Sequence, residues 1–71
     1  MITINHELEL RFTYHPPKED QPRRYEELRG WGLGLAIKIV DNTPVSREQA
    51  LALTKLEECI MWANAAIARN E

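Results

Sequence analysis

The chain has 71 residues, with 9 basic against 11 acidic side chains, a formal charge of −2 and a single cysteine. That length holds one domain, and below roughly 70–80 residues a core needs disulfides, a metal or oligomerisation to support it. Cys59 has no disulfide partner, and neither His6 nor His15 has a cysteine near it in sequence, so oligomerisation is the stabiliser left. The weak acidic balance excludes a general coat for DNA or RNA, yet it allows a small anionic ligand held by one or two arginines. The opening MITINHELELRF carries charges where a secretory leader is apolar, and no run approaches the roughly 20 apolar residues of a membrane span. The expectation is a soluble, cytoplasmic protein.

Residues 2–12 (ITINHELELRF) suit a short helix or an extended arm, with Asn5 able to cap a turn containing Glu7. Residues 13–21 (TYHPPKEDQ) read as a loop, because Pro16-Pro17 cannot continue a helix and His15 before proline is pushed toward extended geometry. A first long helix is expected from about 20 to 41. Asp20 or Gln21 can cap it, Pro22 suits its first turn, and Glu26 and Glu27 lie near its positive end. Helical spacing puts Tyr25, Leu28, Gly32, Leu35, Ala36 and Ile39 on one face and leaves Trp31, Leu33, Ile37 and Val40 off it. Two faces are therefore apolar, and one hairpin partner covers only one. Gly30 and Gly34, a turn apart, either admit a close neighbour or weaken the helix locally. The spacing is GxGxG and follows no strand, so no dinucleotide fold is implied.

The turn Asn42-Thr43-Pro44-Val45 precedes a second long helix, about 46 to 70, opened by Ser46 with Gln49 at capping-box spacing. Leu53, Leu56, Ile60, Ala63 and Ile67 recur at three, four, three and four residues, a seam for antiparallel packing. The rest of ALALTKLEECIMWANAAIA is apolar nearly all round, and a helix of that kind is normally a buried one. The residues thus define an all-α fold, an antiparallel helical hairpin with a short N-terminal arm or helix, assembled into a homo-oligomer.

Several side chains carry two readings. Lys55, Trp62 and Arg69 are seven apart and project opposite the seam, either as a platform for a base and its phosphate or as an interface anchor flanked by solvated cations. Asn64 sits at the seam's margin and either fixes register or meets a ligand. Arg69 either answers the helix dipole or reaches a ligand. Phe12, Tyr14 and His15 precede the double proline, as a recognition loop or as a cap of the hairpin core with His15 exposed. Arg23, Arg24 and Arg29 lie on the first turns of the first long helix, where pairs with Glu26 and Glu27 are one role. Catalysis finds no support: Cys59 lacks a nearby histidine in sequence, and Glu57 and Glu58 diverge on a helix. The chain reads as no enzyme, with no cofactor.

The spans FTYHPPKEDQPRRYEELR (12–29) and SREQALALTKLEECIMWANAAIARN (46–70), through the strings YHPP, DQ, SRE, ALTKLE and WANAAIARN, resemble a known family. It is that of the small phage proteins that sequester cyclic-nucleotide alarms of bacterial immunity, the anti-CBASS sponge and the related hairpin domain of an anti-Thoeris sponge. The resemblance implies a hairpin protomer in a ring-like homo-hexamer. It also implies pockets between protomers that hold cyclic di- and trinucleotides uncleaved, in the cytoplasm of the infected host. By that analogy the candidate ligand residues are Thr13, Tyr14 and His15 at the corner, Arg29, and Asn64 and Arg69 toward the chain's end. The GWGLG segment departs from the alanine-rich helix such proteins lead one to expect. Two other classes stand beside this one: a structural or regulatory homo-oligomeric helical module without a nucleotide ligand, and a small transcriptional regulator. Both long helices are too long and apolar for a recognition helix, which disfavours the regulator. No nucleic-acid polymer and no membrane is expected as a partner.

Overall fold

A computed structural model describes residues 4–71, and these form three helices: α1 (Ile4–Phe12), α2 (Gln21–Asn42) and α3 (Arg47–Asn70), with no strand among the described residues. Residues 2 and 3 of the expected N-terminal segment lie outside them. From Ile4 onward that segment is helical, so Asn5 lies within the first turn rather than capping it. The helix ends at Phe12, ahead of the double proline that no helix continues through. The last turn closes through Thr13 N donating to Glu9 O at 3.0 Å. His15 Nε2 then lies 2.8 Å from the freed Leu10 carbonyl. A carbonyl oxygen only accepts, so Nε2 carries the hydrogen.

The corner between α1 and α2 is closed by its own backbone. Gln21 N donates to Lys18 O at 2.9 Å, and Lys18 N donates back to Gln21 Oε1 at 3.0 Å. Between them Glu19 takes a left-handed φ of 51°, which a β-carbon disfavours. Asp20 does not cap α2 with its side chain, as the sequence suggested it could; its carboxylate lies 3.5 Å from Arg23 and 3.3 Å from Arg24. Gln21, tied into the turn, is only 4% exposed.

α2 runs unbroken through all three glycines, and they do different things. A β-carbon on Gly32 would stand 2.8 Å from Ile60 Cγ1, so glycine there lets α3 approach the backbone of α2. At Gly30 and Gly34 a β-carbon would meet nothing within 4 Å. The close approach available to these two is therefore to something outside the protomer, and without it each costs the helix about 1 kcal/mol relative to alanine. Tyr25, Leu28, Ala36 and Ile39 flank Gly32 on the half-buried side of α2, opposite the half-buried seam Leu53, Leu56, Ile60, Ala63 and Ile67 of α3. Leu35, expected on that side, is exposed at its edge.

The α2–α3 turn satisfies both helix ends. Thr43 Oγ1 donates to Ile39 O at 2.6 Å and Asn42 Nδ2 to Lys38 O at 2.7 Å, so side chains at the C-terminal end of α2 bond carbonyls of its last turns. Ser46 caps α3 by accepting from Gln49 N at 3.1 Å. The Gln49 side chain does not complete the expected box; its Nε2 bonds Thr43 O and Oγ1 across the turn, at 3.1 and 3.0 Å.

The result is an elongated hairpin, 45 × 27 × 18 Å. No hydrophobic side chain among the described residues is fully buried. Trp31 is 75% exposed, and Leu33, Ile37, Val40, Met61 and Trp62 are all more than half exposed.

Gly32→Ala should test the closest point of the hairpin. Overpacking against Ile60 should cost about 1–3 kcal/mol, against a helix-propensity gain of about 1 kcal/mol. The expected net outcome is a lower thermal midpoint, read by circular dichroism; a raised midpoint would mean that the contact yields freely.

Candidate ligand site at the open end of the hairpin

The end of the hairpin away from the α2–α3 turn gathers the proline corner, the first half of α2 and the last half of α3. Tyr25 and Arg29 are a turn apart on α2, and Asn64, Ala65 and Ala68 occupy the facing stretch of α3. Together with His15 they line a concavity of about 270 Å³. The two alanines leave it room, and the bond to Leu10 O fixes the imidazole at its rim.

Three groups give this concavity its chemistry. Asn64 Oδ1 is shielded from solvent and accepts no hydrogen bond within the described chain. A buried acceptor left in that state costs roughly 1–3 kcal/mol until a donor arrives. Arg29 is exposed and makes neither an ion pair nor a side-chain hydrogen bond with the described residues, so its planar fork of donors is free for an anion. Tyr25 supplies an aromatic body beside both. Arg29 also borders a second concavity of about 390 Å³, lined by Gly32, Leu33, Ala36, Leu53, Leu56, Glu57 and Ile60. That one is a shallow apolar groove along the hairpin.

Of the six residues proposed from sequence, the fold brings His15, Arg29 and Asn64 into one concavity. Thr13 and Tyr14 lie outside its wall, with Tyr14 79% exposed. The reading of Phe12 and Tyr14 as caps of the hairpin core is corrected: Phe12 is 82% exposed, and neither covers the helix pair. His15, read as exposed in that alternative, is half-buried and bonded. Arg69 also lies apart, with its guanidinium carbon 5.8 Å from the centre of the Trp62 ring. Lys55, the other cation of the expected platform, pairs with Glu58 at 3.3 Å. Tyr25 was the residue missed. Its helical spacing put it on the core face, and only the open end of the hairpin leaves that position in a concavity.

Next to the site, three segments meet at Glu71. Arg24 bonds its carboxylate through both terminal nitrogens, one bond being 3.0 Å to Oε2, and Lys18 Nζ donates to the Glu71 carbonyl at 3.0 Å. The first turn of α2 and the corner are thereby held against the end of α3. The Arg24 bonds hold the Glu71 carboxyl below the usual carboxylate range, with help from Gln21 and the Lys18 charge, and they raise Arg24 in turn.

A family model, the Acb2/Tad1 hairpin domain, matches residues 5–68. The chain belongs to this family, the anti-CBASS sponge family of phage anti-defence proteins. Its members are binding proteins rather than enzymes. No curated protein and no solved structure matches the chain significantly. No described helix is long and apolar enough to cross a membrane.

The Glu71 contact makes a signed prediction. A carboxyl lowered on folding stabilises above its ordinary pKa, and the contribution fades as pH falls through the lowered value. Wild type should therefore melt above Glu71→Gln near pH 7, and the gap should narrow as pH falls below the ordinary glutamate pKa of about 4.3. Thermal scans of both proteins across that range measure it; a gap independent of pH would assign the difference to something other than this charge.

Proposed function

We propose that this protein sequesters cyclic di- and trinucleotide second messengers without cleaving them, and so blocks CBASS signalling in the cytoplasm of an infected bacterial host. The working unit is a homo-oligomer, with a hexamer as the assembly the family resemblance implies. The observation that carries the reading is the shielded, unpaired acceptor of Asn64 beside the unpaired guanidinium of Arg29. A nucleotide supplies what both lack: a base edge with N–H donors for Asn64 and a phosphate for Arg29's fork. Tyr25 and His15 offer ring faces to a base, and stacking of that kind is worth about 1–3 kcal/mol per base.

The concavity also argues for assembly. At about 270 Å³ it is open and smaller than the roughly 300–1,000 Å³ of pockets that enclose a small molecule. A second protomer would close it, and the exposed apolar surface of α2 and α3 supplies the reason to associate. A two-fold-related pair of sites presents two arginines and two sets of rings, which suits a ligand with two phosphates and two bases. Sites completed by neighbouring copies also give Thr13, Tyr14 and Arg69 a place in binding. On one protomer Thr13 and Tyr14 are exposed and Arg69 is half-buried, and all three lie outside its own concavity, where a neighbour or its ligand can reach them.

The direct test is to incubate the purified protein with cyclic di- and trinucleotides, heat it, and recover the ligand. Protection from a phosphodiesterase followed by release of unaltered ligand supports sequestration. Uptake of none of them leaves the homo-oligomeric structural module as the better account. Asn64→Leu sharpens the test, because removing an unsatisfied amide should raise the thermal midpoint of the unliganded protein while weakening ligand binding roughly tenfold or more. Tyr14→Ala should weaken binding by the stacking contribution, about 1–3 kcal/mol, with Tyr14→Phe nearly normal, both by calorimetry; equal affinities would remove Tyr14 from the site.

A further inference from the structure

The outer side of α2, turned away from α3, carries a charge order that reads as its own complement when reversed. Arg23, Glu27, Gly30, Gly34, Lys38 and Asp41 follow one another at four, three, four, four and three residues, so they share one stripe of the helix. The order is basic, acidic, glycine, glycine, basic, acidic. Laid antiparallel on a second copy about a two-fold axis between the glycines, Arg23 meets Asp41, Glu27 meets Lys38, and Gly30 meets Gly34. Laid parallel, every charge meets its like.

We infer that this face of α2 is an isologous interface with a second copy of the chain, paired antiparallel about Gly30 and Gly34. Charge complementarity is the primary argument, and the free side chains agree with it. Lys38 and Asp41 make no ion pair within the described chain, and Arg23 is occupied only by exposed pairs to Asp20 and Glu27 that exchange at little cost. The glycines add a reason that a solvated face lacks. Both lie on the exposed side with open space where a side chain would stand, and each weakens the helix unless another backbone uses that space. Trp31 and Leu33, 75% and 64% exposed, sit on either flank of the glycine pair, where a close neighbour would cover them. The paired charges reach over the 19 residues from Arg23 to Asp41, roughly 27 Å of helix at 1.5 Å per residue. A shallow crossing angle keeps both ends within reach. The inference rests on the self-assembly proposed above and assigns one of its joints.

Asp41→Arg is the informative variant. It sets a new cation against the partner's Arg23 on both sides of the axis. Within the protomer it places a positive charge near the C-terminus of α2, which the helix dipole favours. Sedimentation equilibrium should therefore show association weakened roughly tenfold or more, while helix content holds or rises. Adding Arg23→Glu restores complementarity and should recover most of the association. Gly34→Ala should likewise weaken association while leaving the protomer helical. An oligomeric wild type unaffected by Asp41→Arg, or a double variant no better than the single, overturns this interface and leaves self-assembly standing. A monomeric wild type overturns both.

Discussion

Ile60 occupies the space that a side chain at Gly32 would need, and this contact sets the distance between the two long helices. The candidate concavity begins one turn from it on each helix, at Arg29 on α2 and at Asn64 on α3. A helix pair held further apart there would carry Tyr25 and Arg29 away from the alanines that now face them. The contact is apolar, local and undirected, and it positions polar groups that never touch it. At the far end of the concavity Arg24 and Lys18 complete the positioning by holding Glu71. The site thus lies between an apolar contact and a polar one.

The same geometry explains why the protomer remains open. Two helices of 22 and 24 residues, packed side by side, cover one face of each. Among the described residues the remaining helix, α1, has nine residues, and its last one, Phe12, stays exposed. Apolar surface on α2 and α3 therefore points outward, and hydrophobic burial, worth about 25 cal/mol per Å², remains to be gained by association. Small chains without disulfides or metals commonly recover it in that way. The ion pairs seen on the surface add little, since exposed pairs contribute about 0–1 kcal/mol.

A sponge has unusual design requirements. It needs affinity and copy number, and no proton or electron has to move. The groups around the concavity suit such a role. They are a fixed imidazole, an aromatic ring, an unpaired guanidinium and an unsatisfied amide oxygen. The amide's desolvation is a stability cost to the empty protein. Binding would offset it, which is how an unliganded site can be kept ready for a polar ligand.

Much of the hairpin was legible in the sequence, because periodicity and end signals act within a few residues. The seam Leu53, Leu56, Ile60, Ala63 and Ile67, the Ser46 cap and the break at Pro16-Pro17 are all local facts. The strings around YHPP and WANAAIARN pointed to the family that the match over residues 5–68 shows. What periodicity left open were the choices that depend on distance between segments. Gly32 rather than Gly30 or Gly34 meets Ile60, because the register of α2 against α3 decides which glycine faces inward. Gln49 bonds Thr43 instead of closing its own box, because the turn brings that threonine nearer. Arg24 reaches Glu71, 47 residues away, where sequence spacing offered only Glu26 and Glu27. Tyr25 joins His15, Arg29 and Asn64 for the same reason. The sequence by itself determined the helices and supplied the polar and aromatic side chains; only the tertiary structure decided which of them stand together, since a concavity is made by packing between segments and no single segment encodes it.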